Sequence, residues 1–333
     1  MKIKKIFLNV FSCIIFAFSF SVYAPKVYAE VLNDTTVYVG GFSAGFNFNT
    51  RGANVVGLCD VVNEKGVFSP SKDGGILVGD IILCIDNIEV NTANDIEKTI
   101  KNDDVKCLKV KRSENVIELQ VKPVKDTSGK CKIGVFIKDG INGIGTVSYI
   151  KGNTICTLGH PVLDENNKIL SIIGGEIYKC NITGCVKGEK GKPGELRGVI
   201  CKKENLATIT KNSSTGVYGV IKEDMNLSKI EKVKTGDGVV GNAVIRTTIT
   251  NETKDYDIQI IKCDFSDWNS KNYVIRIIDE TLLDATGGIV QGMSGSPILQ
   301  NGKLIGAVTH VFINDPTRGF GISFNQMEKA INN

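Results

Sequence analysis

A serine enclosed by glycines is the strongest chemical signal in the sequence, in the segment Gly292-Met293-Ser294-Gly295-Ser296-Pro297. A serine on a tight, glycine-flanked turn exposes its hydroxyl and leaves the neighbouring backbone N–H groups uncovered. The N–H groups of Gly292 and Ser294 are predicted to converge on one point, where they would bind the oxyanion formed when the Ser294 hydroxyl attacks a carbonyl. The simpler interpretation of the segment is a glycine-rich hairpin turn.

A serine hydroxyl is a poor nucleophile without a base, and the chain has only two histidines. His160 follows a short apolar stretch in Thr157-Leu158-Gly159-His160-Pro161, a position expected at the rim of a cleft. His310 lies inside a predicted strand after the serine segment, where alternation indicates a structural residue in a wall of the protein. His160 is therefore the predicted general base for Ser294.

The third member of such a site is a carboxylate that orients the imidazole and supports its positive charge. Asp279 is one candidate, because it ends the predicted strand 274–278 and could reach the same rim. A solvated carboxylate at a strand end is the alternative interpretation. Spacing leaves the choice open among six aspartates between the histidine and the serine: Asp255, Asp257, Asp264, Asp267, Asp279 and Asp284.

Metal chemistry is not expected, and no cofactor is predicted. The cysteines are scattered without a C-x-x-C pair, which argues against both a zinc site and a disulfide framework. Cys156 and Asp164 lie four residues on either side of His160. Gly159 and Pro161 exclude the helix that would bring these three side chains to one face.

The chain that must position these residues has 333 residues, 42% of them hydrophobic, which is enough for two globular domains and a leader. Three lysines precede an apolar run at residues 6–22, and Ala29 ends a small-residue cleavage pattern. Residues 1–29 are therefore predicted to be a signal peptide, with an uncleaved membrane anchor as the alternative. Both interpretations place the rest of the chain outside the cytoplasm.

The net charge of +4 is too small to indicate a nucleic-acid partner.

Residues 35–125 form the first predicted domain. Residues 76–87 are typical of a turn, a buried strand and a hairpin turn. Residues 92–100 carry isoleucines four positions apart after Asn94, a candidate N-cap, and are predicted to form a short amphipathic helix.

This pattern resembles a PDZ domain, most specifically in residues 76–87. The resemblance implies a loop whose backbone N–H groups bind a peptide terminus while the peptide adds a strand alongside. The loop maps onto four consecutive residues: Ser43, Ala44, Gly45 and Phe46. The alternative interpretation of that segment is a glycine-rich turn.

Residues 126–333 form the second predicted domain. Short apolar strands recur there between glycine, asparagine, aspartate and lysine clusters, a pattern typical of a β-sandwich or closed barrels. Residues 184–198 are rich in glycine and lysine and are predicted to be a mobile surface loop. Residues 325–331 are predicted to form a closing helix.

Residues 35–333 resemble stage IV sporulation protein B, a family of PDZ-containing serine peptidases of endospore-forming bacteria. Residues 286–297 resemble the nucleophile segment of that family almost letter for letter. Residues 306–312 and 314–317 match the segment that follows it, and residues 157–161 match the base segment. The order of leader, PDZ and peptidase also matches, whereas the high-temperature-requirement proteases place the PDZ after the catalytic domain.

The resemblance implies a mainly β chain, with an N-terminal PDZ-like domain followed by a trypsin-like double β-barrel serine peptidase domain. It implies that Ser294 is the nucleophile and His160 the base, and it carries the acidic role onto Asp279. Family members are exported from the forespore into the space between the two spore membranes. They cleave themselves and a regulator that restrains an intramembrane metalloprotease, and so release a late sigma factor.

Two other functions are compatible with parts of the sequence. A non-catalytic scaffold would bind peptide termini through the PDZ-like unit, but it would have no need to keep both Ser294 and His160. An esterase would carry its serine in a G-x-S-x-G elbow between a strand and a helix, whereas here the serine segment continues into Pro297. The resemblance therefore favours an exported, membrane-proximal endopeptidase that acts on protein substrates.

Overall fold

The computed structural model describes residues 35–138, 140–164, 166–266 and 271–332, so the predicted leader lies outside the described residues. The described chain is mainly β, as predicted.

The strands in chain order are β1 (Thr36–Val39), β2 (Ser43–Thr50), β3 (Ala53–Leu58), β4 (Val61–Asn63), β5 (Gly66–Phe68), β6 (Ile81–Ile85), β7 (Ile88–Glu89), β8 (Lys106–Arg112), β9 (Asn115–Val121), β10 (Val124–Lys125), β11 (Cys131–Lys132), β12 (Val135–Lys138), β13 (Ile141–Lys151), β14 (Thr154–Thr157), β15 (Ile172–Val186), β16 (Glu195–Ser213), β17 (Gly216–Ile221), β18 (Lys232–Thr235), β19 (Gly241–Thr248), β20 (Thr253–Cys263), β21 (Tyr273–Ile277), β22 (Pro297–Gln300), β23 (Lys303–Phe312) and β24 (Asp315–Ser323). The helices are α1 (Pro70–Asp73), α2 (Ala93–Thr99), α3 (Glu280–Thr286) and α4 (Phe324–Asn332).

A 14-stranded hydrogen-bonded sheet closes on itself at both ends. Strands β14, β17, β16, β15, β2 and β13 follow one another, and β13 pairs again with β14. Strands β23, β22, β19, β20, β21 and β24 do the same, because β24 pairs with β23. Strands β1 and β18 connect these two circuits, which we call the first and second circuit.

Each circuit encloses its own apolar core, and a third cluster lies between the two. Phe46 and Val147 belong to the core of the first circuit. Ile258 and Ile298 belong to that of the second. Residues from both circuits meet in the third cluster, which we call the joining cluster: Val37, Val39, Tyr149, Cys156, Tyr218, Leu299, Leu304, Ala307, Ile322, Phe324 and Met327. The two circuits are therefore packed against each other through this cluster.

A separate small sheet is inserted between β2 and β13. Its strand order is β12-β3-β6-β8-β9, and β7 pairs with β6. Its core includes Ile82 and Leu108 and is closed by Ile96 of α2. The N-cap of α2 is Thr92, which forms a capping box with Asp95, and not the predicted Asn94. This insert begins at β3, later than the predicted domain start at residue 35, because β1 and β2 belong to the large sheet.

The prediction that Ser43, Ala44, Gly45 and Phe46 form a peptide-binding loop is wrong. These residues lie in β2, which pairs with β13 on one edge and with β15 on the other. Both edges of the strand are already occupied, and Ser43, Ala44 and Phe46 are buried. A side chain at Gly45 would meet Ile200 at 2.5 Å. The segment is therefore part of the first circuit and has no free backbone edge for a peptide.

Two other segments can be compared with the secondary structure predicted from their sequence patterns. Much of the predicted loop 184–198 is strand, because β15 and β16 form a long hairpin whose turn lies between Val186 and Glu195. The predicted closing helix 325–331 is confirmed as α4, whose Phe324 and Met327 are buried in the joining cluster.

Candidate active site

Ser294 lies in a tight turn between Val290 and β22. Gly292 and Gly295 adopt φ values of 98° and 94°, in the left-handed region that favours glycine. The N–H of Met293 donates to the Val290 carbonyl at 3.1 Å, and the N–H of Gly295 donates to the Val308 carbonyl at 2.8 Å. The N–H groups of Gly292 and Ser294 have no acceptor among the described residues, so both donors are available to an oxyanion.

The turn that carries Ser294 is fixed onto the first circuit by Thr146 of β13. The N–H of Thr146 donates to the Ser294 carbonyl at 2.9 Å, and its hydroxyl donates to the Gly292 carbonyl at 2.8 Å. A Cβ at Gly295 would lie 2.2 Å from the Thr146 carbonyl oxygen and 2.5 Å from the Leu158 nitrogen. Only glycine at position 295 therefore lets the turn lie against the segment that carries His160.

His160 is presented by two residues that turn the chain out of β14. Leu158 and Gly159 have φ values of 65° and 69°. A Cβ at Gly159 would lie 3.0 Å from the Thr309 methyl carbon, so the turn lies against β23 of the second circuit. The structure thus brings together the segments that carry His160 and Ser294.

The tautomer of His160 follows from its one hydrogen bond. Nδ1 lies 2.8 Å from the Pro161 carbonyl oxygen, which can only accept, so Nδ1 carries the proton. Nε2 is therefore the unprotonated nitrogen, as a general base requires. Burial lowers the pKa of His160, and the bond to the Pro161 carbonyl opposes that effect in part.

His310 is a neighbour of His160 and not only a structural residue in a strand. The His160 and His310 ring centroids are 4.8 Å apart, with an interplanar angle of 39°. The pKa of His310 is lowered to about 4 by burial, by His160 and by Lys271. No sequence pattern indicates this contact, because residues 160 and 310 come from different circuits.

The hydroxyl of Ser294 is bonded to a backbone carbonyl in this structure. It donates to the Thr309 carbonyl of β23 at 2.9 Å. His160 and Ser294 are not hydrogen-bonded to each other here, although their segments are in contact. Hydrogen bonds at active sites without substrate are often long or absent and form in the substrate complex.

Asp279 has a different position from the one predicted. It is the N-cap of α3, where its carboxylate accepts from the Leu282 N–H at 2.9 Å and from the Asp257 N–H at 3.4 Å. Within the described residues no carboxylate is hydrogen-bonded to His160. The Pro161 carbonyl holds Nδ1 instead. The predicted role of Asp279 as the orienting acid is therefore not supported by its geometry.

The other candidate aspartates are also engaged elsewhere or outside the described residues. Asp255 forms two hydrogen bonds with Arg246. Asp264 accepts from Ser266 and Lys262. Asp257 and Asp284 make no hydrogen bond to His160 in the described part of the chain, and Asp267 lies outside it.

Asn212 of β16 is a positioning residue that the sequence did not reveal. Its side chain accepts from the Val162 N–H at 2.9 Å and donates to the carbonyls of Val162 at 2.8 Å and Leu170 at 3.0 Å. Val162 is two residues after His160, so these bonds fix the base segment to the first circuit. A lone asparagine carries no motif, and only its position beside Val162 gives it this role.

The described residues contain no group of three histidine, cysteine, aspartate or glutamate side chains that could hold a metal ion. None of the helices in those same ranges is long and apolar enough to cross a membrane.

Residues 129–328, more than half of the chain, match the family described as SpoIVB peptidase S55. The chain belongs to the SpoIVB peptidase S55 family. It is therefore a serine peptidase, as the glycine-flanked serine and the histidine segment predict. The matched range begins within the last part of the insert and includes Thr146, His160, Asn212 and Ser294.

Solved structures similar to this SpoIVB-type peptidase include the Rv3671c protease from M. tuberculosis. Its active form is 14% identical, with a TM-score of 0.36, and the match covers 58% of this chain and 74% of that one. Its inactive form is 14% identical, with a TM-score of 0.35, and the match covers 57% of this chain and 83% of that one. No curated protein matches the chain.

Proposed function

We propose that Ser294 is the nucleophile and His160 the general base of a serine endopeptidase with a trypsin-like double β-barrel. The single observation that carries this proposal is the contact of the Ser294 turn with the segment that carries His160. Gly295 lies on the backbone of Leu158, two residues before His160, while Thr146 binds the carbonyl of Ser294. The two closed circuits of the large sheet support the double-barrel architecture.

The tautomer of His160 sets the direction of proton transfer. Nε2 takes the proton of the Ser294 hydroxyl as the oxygen attacks the substrate carbonyl. The Nδ1–H bond to the Pro161 carbonyl keeps the ring in this orientation. The N–H groups of Gly292 and Ser294 stabilise the oxyanion of the tetrahedral intermediate. His160 then donates its proton to the leaving amine, and water hydrolyses the acyl-enzyme by the same steps.

Substrate binding releases the nucleophile in this mechanism. The Thr309 carbonyl, which accepts from Ser294 at 2.9 Å, lies on the edge of β23 beyond its pairing with β22. An extended substrate segment added to this edge would donate a backbone N–H to the Thr309 carbonyl. The displaced hydroxyl of Ser294 would then turn towards His160, so that the catalytic hydrogen bond forms when a peptide is bound.

The insert is proposed to be a PDZ-like unit that binds peptide termini, although not at residues 43–46. Strand β12 pairs with β3 on one edge only, and α2 lies beside it. An extended peptide could therefore pair with the free edge of β12. Phe136 on β12 is 59% exposed, which offers apolar contact area to such a peptide.

Membership in the family supports a proposal for the finer biological role. We propose that residues 1–29 direct export from the forespore and either are removed or anchor the enzyme beside a membrane. The proposed substrates are the chain itself and a protein regulator of an intramembrane metalloprotease, whose cleavage leads to late sigma-factor activation during endospore formation. Autoproteolysis of residues 30–333, compared with the Ser294→Ala variant, tests the first of these substrates.

A fluorophosphonate probe tests the catalytic assignment, because it reacts only with an activated serine. Wild-type enzyme and Ser296→Ala should be labelled, whereas Ser294→Ala and His160→Ala should not. Ser296 is a matched control in the same turn, since its buried hydroxyl is bonded to Thr247 and to the Met293 carbonyl. Labelling of Ser294→Ala together with loss of labelling in Ser296→Ala would refute the assignment.

A further inference from the structure

A strip of aromatic and cationic side chains continues from the base along the hairpin of β23 and β24. His310 and Phe312 are two residues apart on β23, and Arg318 and Phe320 are two residues apart on β24. The Phe312 and Phe320 ring centroids are 4.7 Å apart, and the His310 ring is 4.8 Å from that of His160. The strip therefore begins at the catalytic histidine.

The strip belongs to the face of the second circuit that meets the first circuit. Ile322 follows Phe320 by two residues on β24, so both side chains lie on the same face of that strand. Ile322 is fully buried in the joining cluster together with Tyr149 of the first circuit. Phe320 is only half-buried. The strip is thus the part of this face that emerges from the joining cluster.

Two cations are held over the aromatic rings of the strip. The guanidinium carbon of Arg318 lies 5.3 Å from the Phe312 ring centroid, and the Nζ of Lys271 lies 5.0 Å from that of Phe320. Such contacts hold a cation over a ring face without neutralising its charge. Neither side chain forms an ion pair with a carboxylate of the described residues, and the Nε of Arg318 is buried there without a hydrogen-bond partner.

We propose that this strip, made of His310, Phe312, Phe320, Arg318 and Lys271, is a subsite for an acidic side chain of the substrate. The inference rests on the proposed pairing of the substrate with the Thr309 carbonyl. Alternate side chains of an extended segment point to the same side. In the proposed mode of binding, the second residue before the scissile bond lies beside His160, so that the second and fourth residues face the strip.

A carboxylate fits this surface better than a neutral or cationic group does. The fork of an arginine binds both oxygens of a carboxylate, and a nearby aromatic surface reduces competition from water. Lys271 adds a second positive charge on the same strip, so a lysine or arginine of the substrate would be repelled. Two partly exposed contacts of the substrate carboxylate, one with Arg318 and one with Lys271, support a preference of about fivefold for glutamate over glutamine. This ratio is equivalent to about 1 kcal/mol.

A positional library of fluorogenic tetrapeptide amides measures the preference directly. Wild-type enzyme should hydrolyse peptides with glutamate at the second or fourth position about five times faster than their glutamine counterparts. In Lys271→Gln and in Arg318→Gln the ratio should fall towards one. Lys262→Gln is the matched control, because Lys262 lies on β20 and is paired with Asp264 at 3.1 Å. It should keep the wild-type ratio.

A binding measurement separates failure of this inference from failure of the catalytic assignment. Labelled glutamate and glutamine peptides are titrated into the Ser294→Ala variant and followed by fluorescence anisotropy, which requires no turnover. Tighter binding of the glutamate peptide should weaken as salt is raised to about 0.5 M, since salt screens exposed charges. Equal rates and equal binding for the two peptides would overturn the proposal, as would a preference that survives removal of both cations. If Arg318→Gln fails to fold, Lys271→Gln still decides, because Lys271 is exposed.

Discussion

Replacement of Asn212 by alanine should displace the catalytic histidine without touching it. The Asn212 side chain makes three hydrogen bonds, one to the Val162 N–H and one each to the carbonyls of Val162 and Leu170. Asn212→Ala removes all three at once. The segment that carries His160 would then keep its contact at Gly159. It would lose the side-chain hydrogen bonds at Val162.

The loss of these three hydrogen bonds sets the expected decrease in the free energy of unfolding. A typical net contribution of about 1 kcal/mol for each gives an upper value of about 3 kcal/mol for the loss in unfolding free energy. Because Val162 is only half-buried, water can replace part of what is lost, and we expect about 1–3 kcal/mol. A displacement of His160 by about 1 Å should lower kcat by about 100-fold, with little change in KM.

Urea unfolding and steady-state kinetics on one fluorogenic substrate measure the two effects separately. Asn205→Ala is the matched control on the same strand, because the Asn205 amide donates to Glu176 at 2.6 Å and makes no bond to the base segment. It should lose stability but keep its kcat. If Asn212→Ala becomes less stable and yet retains kcat within about twofold, the positioning argument is refuted.

Three further outcomes follow from the site. Asp279→Asn should keep activity within a few-fold, because asparagine is an equally good N-cap; a loss of several orders of magnitude in kcat would return Asp279 to the catalytic apparatus. The pH profile of kcat/KM should fall on acidification only below about pH 6.5, since burial lowers the pKa of His160 and its neutral form is active; an acidic limb above that pH would contradict this. The His310 pKa of about 4 means that the unfolded chain binds a proton that the folded chain does not. The unfolding free energy should therefore decrease as pH falls from about 6.5 towards 4, and less so in His310→Asn, as measured by urea unfolding at each pH.

The parts of the site that the sequence signals most clearly are local. The Ser294 turn depends on two flanking glycines with positive φ, and both lie within three residues of the serine. The turn before His160 has positive φ at Leu158 and Gly159, and of these two residues only Gly159 is of the type that this geometry favours. Such constraints are visible in a short segment because the backbone geometry itself selects the residue type.

The parts that the sequence did not predict depend on which strands become neighbours. Alternation in residues 43–48 is compatible with a strand in either sheet, and only the pairing with β13 and β15 assigns it to the first circuit. The prediction for Asp279 depends on its position at the end of a strand. The signal that it begins a helix was nevertheless present, since Glu280 follows it in the first turn of α3.

The position of the insert has a consequence for how the enzyme folds. Strands β2 and β13 are paired through Phe48 and Ile141, yet the whole insert separates them in the chain. Closing a flexible loop of about 90 residues costs on the order of 4 kcal/mol of chain entropy. A folded insert, whose first and last strands β3 and β12 pair with each other, brings those ends together beforehand. Variants that destabilise the insert should therefore slow refolding of the peptidase more than they accelerate its unfolding.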